Sequence, residues 1–290
     1  MKISIHAKTD IGCGRDNNED AFAFCPDLSA PTWGDDHTKG YLPLGQLGAL
    51  LVVADGMGGL NAGEVASAVA IDSVRQTFAP EAAARALSSD ESACQLLTQA
   101  VKEADEAINR RMVSSPETAG MGTTIVLCWL TGQKAYVAWC GDSRCYRYNA
   151  SDGGLHPLTK DHSYVQELVD QGKITEEQAF THPDNNIITR GLGDFDTQVK
   201  PDVVVTPVKA GDMFMLCSDG LCGYCTNEQI SQILADSRGD VGRCADDLLR
   251  TALSVPGDDN ICIVVASLLA DDQHAPGGSK IMHLLRSLFG

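Results

Sequence analysis

No apolar stretch in this 290-residue chain is long enough to cross a bilayer. The longest, such as Ile261–Ala270, reach only about half of the ~18–20 residues a spanning helix needs. The opening Met1-Lys2-Ile3-Ser4-Ile5-His6 lacks the apolar segment of a secretory leader. Basic residues are also scarce. Lys and Arg total 22 against 39 Asp and Glu, a formal net charge of −17. That balance repels nucleic acid and anionic membranes, and the cations are too scattered to form a binding stripe. Gly56, Gly58 and Gly59 lack the Lys and Ser/Thr of a nucleotide P-loop, so nucleotide binding is rejected. The seven histidines form no His-Glu-x-x-His or paired-ligand spacing, and no internal repeat is present. Cysteine, by contrast, is plentiful. Eleven is an odd number in a long chain without a leader, which points to reduced thiols in a cytoplasmic protein.

Hydrophobic residues make up 43% and charged residues 21%, an ordinary globular balance. Short apolar segments read as strands at Ala49–Ala54, Thr123–Trp129, Ala135–Cys140, Met213–Cys217 and Ile261–Ser267. Thr131-Gly132-Gln133 joins the second and third as an antiparallel hairpin. Two long helices are expected between Asn61 and Met112. Asn61 with Glu64 forms a capping box, and the stripes Ile71-Val74-Phe78 and Leu97-Val101-Ala104-Ile108-Met112 follow. Two more helices fall near Asn227–Leu234 and Val241–Leu253. Strands and helices come in blocks, which favours an α+β layered sandwich over a doubly wound parallel sheet. Breakers crowd Ser29–Gly48, and Asp161–Ile187 reads as a surface flap. Residues 1–270 are expected to form one domain. Residues 271–290 pass through Pro276-Gly277-Gly278 into an amphipathic tail, read either as a helix packed back on the domain or as a docking or membrane-touching segment.

The informative pattern is acidic residues at the ends of apolar strands. Leu50-Leu51-Val52-Val53-Ala54 runs into Asp55-Gly56, and Phe214-Met215-Leu216-Cys217 into Ser218-Asp219-Gly220. Val137-Ala138-Trp139-Cys140 runs into Gly141-Asp142, and Asp258-Asp259-Asn260 opens the strand from Ile261. One Asp-Gly after a strand is usually a turn. Four such ends suggest more, because rigid strand ends can hold carboxylates at fixed separation and buried like charges need cations between them. All-oxygen ligation suits Mg²⁺ or Mn²⁺ better than zinc. Spacing alone does not bring the four together.

The segments Arg15-Asp16-Asn17-Asn18-Glu19-Asp20, Asp55-Gly56-Met57-Gly58-Gly59, Gly120-Met121-Gly122-Thr123-Thr124 and Gly141-Asp142-Ser143-Arg144 stand in that order. Thr159-Lys160-Asp161-His162, Cys217-Ser218-Asp219-Gly220 and Gly257-Asp258-Asp259-Asn260 complete the series. In wording and order they resemble the metal-dependent Ser/Thr protein phosphatases (the PPM, or type 2C, family) of bacterial type, over roughly residues 8 to 268. The resemblance implies a four-layer α-β-β-α sandwich of two mostly antiparallel sheets flanked by helices, with a metal cluster at one edge. Asp55 would bridge two metals, the Gly56 carbonyl would bind one, and Asp219 and Asp259 would complete the other's shell. Glu19 would act through metal-bound water, and Arg15 would grip the substrate phosphate. A metal-bridging hydroxide would attack phosphoserine or phosphothreonine of phosphoproteins, in opposition to a Ser/Thr kinase.

Two residues depart from the family pattern. Met57 stands where many eukaryotic members have a His that is a candidate general acid, although bacterial members commonly show Met. Gly223 stands where an Asp often helps the counterpart of Asp142 to hold a third metal, so a third site would be weak. Other readings stay open: a binding module without turnover, or a phosphatase of small phosphoesters. Cys222-Gly223-Tyr224-Cys225 reads as a pair of small buried thiols or a redox switch, and His162 as a helix-start residue or part of the substrate entrance.

Overall fold

The computed structural model describes residues 1–271 apart from 35, 59–61, 150, 152–153, 196–197 and 256. Four strands come first: β1 (Lys2–Asp10), β2 (Asp20–Cys25), β3 (Leu42–Pro43) and β4 (Ala49–Met57). Helices α1 (Gly63–Thr77), α2 (Pro80–Ala86) and α3 (Asp90–Ser114) follow. Next are β5 (Gly122–Thr123), β6 (Ile125–Leu130), β7 (Lys134–Cys140), β8 (Arg144–Asn149) and β9 (Gly154–Pro157). The flap carries α4 (Tyr164–Asp170) and α5 (Glu176–Phe180), and β10 (Leu192–Gly193), β11 (Asp202–Pro207) and β12 (Asp212–Cys217) lead out of it. Helices α6 (Asp219–Cys222), α7 (Asn227–Ser237) and α8 (Val241–Leu253) precede the last strand, β13 (Ile261–Leu269).

The strands form two antiparallel sheets. One has the order β3-β1-β13-β12-β8-β9; the other has β10-β5-β4-β6-β7-β11, with β2 paired to β4. Alternation along each strand explains why both faces of each sheet are covered. In β4, Leu51 and Val53 point between the sheets, where they meet Ile3, Ile5, Phe214 and Val264. Leu50 and Val52 point the other way, into a core shared with Val74, Leu97, Val101 and Ile108 of α1 and α3. On the far side, Met213, Met215, Ile263 and Val265 pack under Ile230, Leu234 and Leu248 of α7 and α8. The result is four layers, helix–sheet–sheet–helix, as the motif order implied.

Several local expectations change. The region between Asn61 and Met112 holds three helices, because Pro80 at the start of α2 separates it from α1 and Ser89 caps α3 by accepting from the Ser92 N–H. Asn61 lies outside the described residues, and α1 starts after Ala62 with no side-chain cap bond. The expected strand Thr123–Trp129 is interrupted at Thr124, whose N–H bonds the Asp55 carbonyl at 2.8 Å. The hairpin is as expected: β6 pairs antiparallel with β7 through a turn closed by the Thr131 N–H on the Lys134 carbonyl at 2.8 Å. The flap holds two short helices, the second with a Thr175–Gln178 capping box, and its base closes through the Tyr164 N–H on the Ile187 carbonyl. No helix among the described residues is long and apolar enough to cross a membrane. The tail beyond residue 271 lies outside the described residues.

Candidate metal centre

The acidic strand ends meet at one edge of the sandwich. Register brings Asp20 opposite Asp55 on the β2–β4 pair. Asp219 begins α6 directly after β12, Asp259 precedes β13, and Asp142 sits in the turn between β7 and β8. The Asp55 carboxyl feels the charges of Asp20, Asp219, Asp142 and Asp259, so strand ends from both sheets converge on it. Asp55 also shares hydrogen bonds with Asp20 and with Asp219. Its backbone is fixed by the Thr123 hydroxyl donating to its carbonyl at 2.8 Å and by its own N–H on the Thr124 hydroxyl at 3.3 Å.

Clustering like charges in a desolvated site drives protons onto them. Burial, joined by the charges of Asp219 and Asp259, pushes the Asp20 carboxyl up to about 7. Burial and then Asp259 lift Asp219 to about 6. Asp55 and Asp142 are held well above the usual carboxylate range, first by burial and then by neighbouring carboxylates. Glu19 is raised by burial and then by Glu64. Three oxygens, Asp20 Oδ1, Asp219 Oδ1 and Glu64 Oε2, are buried without a hydrogen-bond partner. Native proteins rarely leave such atoms unpaired. Orphaned hard oxygens among mutually repelling carboxylates fit hard divalent cations. Among the described residues, no three His, Cys, Asp or Glu side chains converge in ready ligation geometry, so the donors are neighbours that a bound ion would draw together.

Backbone packing holds the edge closed. Gly56 lies so close to α1 that a Cβ there would meet the Gly63 carbonyl at 2.3 Å and the Glu19 carbonyl at 2.5 Å. The Gly63 N–H in turn bonds the Glu19 carboxylate. Gly12, at φ +74, lets its loop pass the Asp259 carbonyl, which a Cβ would approach to 2.0 Å. Asn260 is the joint. Its amide donates to the carbonyls of Ile11 and Asn17, both at 2.9 Å, and its Oδ1 accepts from the Glu19 N–H at 2.8 Å. This ties residues 11–19 to the start of β13. Arg15 is thereby seated at the rim, 48% exposed, with Nε on the Asp258 carbonyl at 2.8 Å and Nη2 on Asp259 Oδ1 at 2.9 Å.

All seven residues singled out from the sequence therefore lie at or beside one edge. Asp142 is 7% exposed and feels Asp219 and Asp161. Gly223 offers only its N–H, to the Asp219 carbonyl at 2.6 Å. Sequence reasoning missed Asp20, Glu64, Asn260 and Asp161. Asp161 takes a two-pronged hydrogen bond from Arg144, at 2.8 and 2.7 Å, beside Asp142. Asp20, Asn260 and Asp161 lie inside the motifs named above, so the motifs held the signal without the role.

The side candidates resolve quietly. Cys222 and Cys225 are 2% and 1% exposed. A hydrogen bond with Cys217, then burial, holds the Cys222 thiol well above its usual range, and burial takes Cys225 to about 11. Protonated, buried thiols are inert. His162 is also interior: Nδ1 accepts the Gly141 N–H at 3.1 Å, Nε2 meets Asp202 at 3.0 Å, and the ring stacks on Trp139. It braces the Asp142 turn and does not line the entrance.

Comparison with known proteins identifies the family. Residues 15–261 match the family model described as protein phosphatase 2C. The chain belongs to that family. The serine/threonine protein phosphatase PstP of Mycobacterium tuberculosis (strain ATCC 25618 / H37Rv) is 38% identical over 77% of this chain, which spans 41% of PstP's length. The serine/threonine phosphatase stp of Listeria monocytogenes (serovar 1/2a) is 34% identical over 74% of this chain and 83% of its own. A crystal structure of the PstP catalytic domain in complex with two manganese ions superposes with a TM-score of 0.72. It is 32% identical and covers 93% of this chain and 99% of that one. The two-sheet sandwich is thus the fold of the phosphatase 2C family.

Proposed function

We propose that this chain removes phosphate from phosphoserine and phosphothreonine of other proteins, in the cytoplasm and in opposition to Ser/Thr kinases, using two Mn²⁺ or Mg²⁺ ions. The observation that carries this reading is the set of buried, unpartnered oxygens on Asp20, Glu64 and Asp219, gathered beside the half-exposed Arg15. Asp55 and the Gly56 carbonyl would hold the ions from β4, and Asp219 and Asp259 from the opposite sheet, with Glu19 acting mainly through water. Asp142 stands ready for a weaker third. The two manganese ions of the PstP structure support manganese as one of the metals. Bound divalent ions supply Lewis acidity, which activates water and offsets charge on the phosphoryl group.

The chain's own residues do the rest. Arg15 is anchored by Asp258 and Asp259, so its planar fork is already at the rim to receive phosphate oxygens in pairs. Anchoring before the substrate arrives lowers the ordering cost of binding. Thr123 and Thr124 lock the Asp55 backbone, and Asn260 fixes the loop that carries Arg15 and Glu19. Residues 1–270 would suffice for this work, with 271–290 as a separate appendage.

The test is phosphate release from a phosphothreonine peptide with Mn²⁺, with chelator, and in Asp55→Asn and Asp219→Asn variants. Metal-dependent release that both variants lower by at least about a hundredfold supports the reading. Wild-type protein that binds the peptide without turnover under either metal would point to a binding module.

A further inference from the structure

A cavity of about 740 Å³ opens between the flap and the α6–α7 segment, and its floor is continuous with the metal centre through Asp142, Asp219 and Asp259. It is far larger than one phosphorylated side chain needs, so flanking residues of a substrate enter it too. Glu176 and Glu177, in the first turn of α5, form part of the flap wall, and Glu228, in the first turn of α7, contributes from the α7 side. All three are exposed, and none is paired with a cation among the described residues. The one basic side chain among the described lining residues, Arg144, is already held by Asp161 at 2.7 and 2.8 Å.

Ions bound at the floor would neutralise Asp219 and Asp259, and the orphaned Asp219 Oδ1 shows that the floor expects a cation. They would leave the three wall glutamates uncompensated. Building on the phosphatase reading above, we infer that this cleft selects phosphothreonine or phosphoserine segments carrying Lys or Arg within two or three residues of the phosphate. The phosphate goes to Arg15 and the floor while the flanking cations meet the walls. An acidic flank would be repelled by Glu176, Glu177 and Glu228 before the phosphate arrives. Electrostatic selection of this kind acts on encounter and orientation, and salt weakens it.

The experiment compares phosphothreonine peptides of one length flanked by Lys, Ala or Glu, with p-nitrophenyl phosphate as a substrate that has no flank. The enzymes are the wild type and the Glu176→Gln/Glu177→Gln/Glu228→Gln triple variant, in low and high salt. The expected kcat/KM favours the Lys-flanked over the Glu-flanked peptide about tenfold or more in the wild type. The preference should shrink severalfold in the variant and in high salt, with p-nitrophenyl phosphate unchanged. Equal turnover of the three peptides by the wild type overturns the inference, as does a Lys preference that survives in the variant. Loss of p-nitrophenyl phosphate turnover in the wild type overturns the phosphatase reading and this inference with it.

Discussion

Asn260→Ala isolates the joint on which the site depends. Asn260 is 4% exposed, and its side chain makes three hydrogen bonds, to the Ile11 and Asn17 carbonyls and from the Glu19 N–H. Each contributes about 1 kcal/mol net, and more where the abandoned partner stays buried, so about 3 kcal/mol is expected. For a domain of this size that lowers Tm by roughly 6–12 °C. The loss falls on the loop bearing Arg15 and Glu19, so kcat/KM on a phosphopeptide should drop at least about tenfold with weaker Mn²⁺ dependence. Asn17→Ala is the control. Asn17 offers Asn260 its backbone carbonyl, so this variant keeps all three bonds and should stay within ~0.5 kcal/mol. Differential scanning fluorimetry in chelator and in Mn²⁺, with initial rates, measures both effects. A Tm for Asn260→Ala within 2 °C of wild type together with unchanged kcat/KM would falsify the argument.

The metal-free protein should lose stability as pH rises. Asp20 and Asp219 have folded-state values raised to about 7 and about 6, so their contribution is complete below the unfolded carboxylate range and disappears as pH climbs through those values. For Asp20 alone that is on the order of 4 kcal/mol. Melts in chelator should therefore show a lower Tm at pH 8 than at pH 5, and Mn²⁺ should restore most of the difference at pH 8; a flat profile in chelator contradicts the clustering. Gly12→Ala compared with Gly40→Ala separates contact from backbone strain. Both sites have positive φ, but a Cβ at Gly12 meets the Asp259 carbonyl at 2.0 Å while the one at Gly40 meets open space. Gly40→Ala should cost about 1 kcal/mol and leave activity intact. Gly12→Ala should cost more and weaken Mn²⁺ binding measured by calorimetry; equal effects would place the whole cost in the backbone.

How far a sequence reveals such a site depends on what each strand has on its two faces. β4, β12 and β13 are covered on both, by the second sheet and by helices, so they appear as unbroken apolar runs and were legible at once. β8 hides because Arg144 and Arg147 interrupt it, and their charges are answered elsewhere, by Asp161 and by the fully buried Asp212. β1 hides because its buried Ile3, Ile5 and Ala7 alternate with Lys2, Ser4 and His6, a short polar-looking stretch beside the chain start. β2 and β11 are likewise modest in sequence and become strands only by pairing with β4 and β7. The same logic separates Asp55 from Asp20. Asp55 ends an apolar run and announces itself; Asp20 follows a polar loop and resembles any surface acid until antiparallel register sets it across from Asp55. Glu64 is more hidden still, since an acid in a helix's first turn is already explained by the helix dipole. Only its buried, unpartnered Oε2 says that the dipole is not the whole reason it is there. Local pattern therefore reports the residues that a strand must present, and pairing in space decides which of the ordinary-looking acids join them.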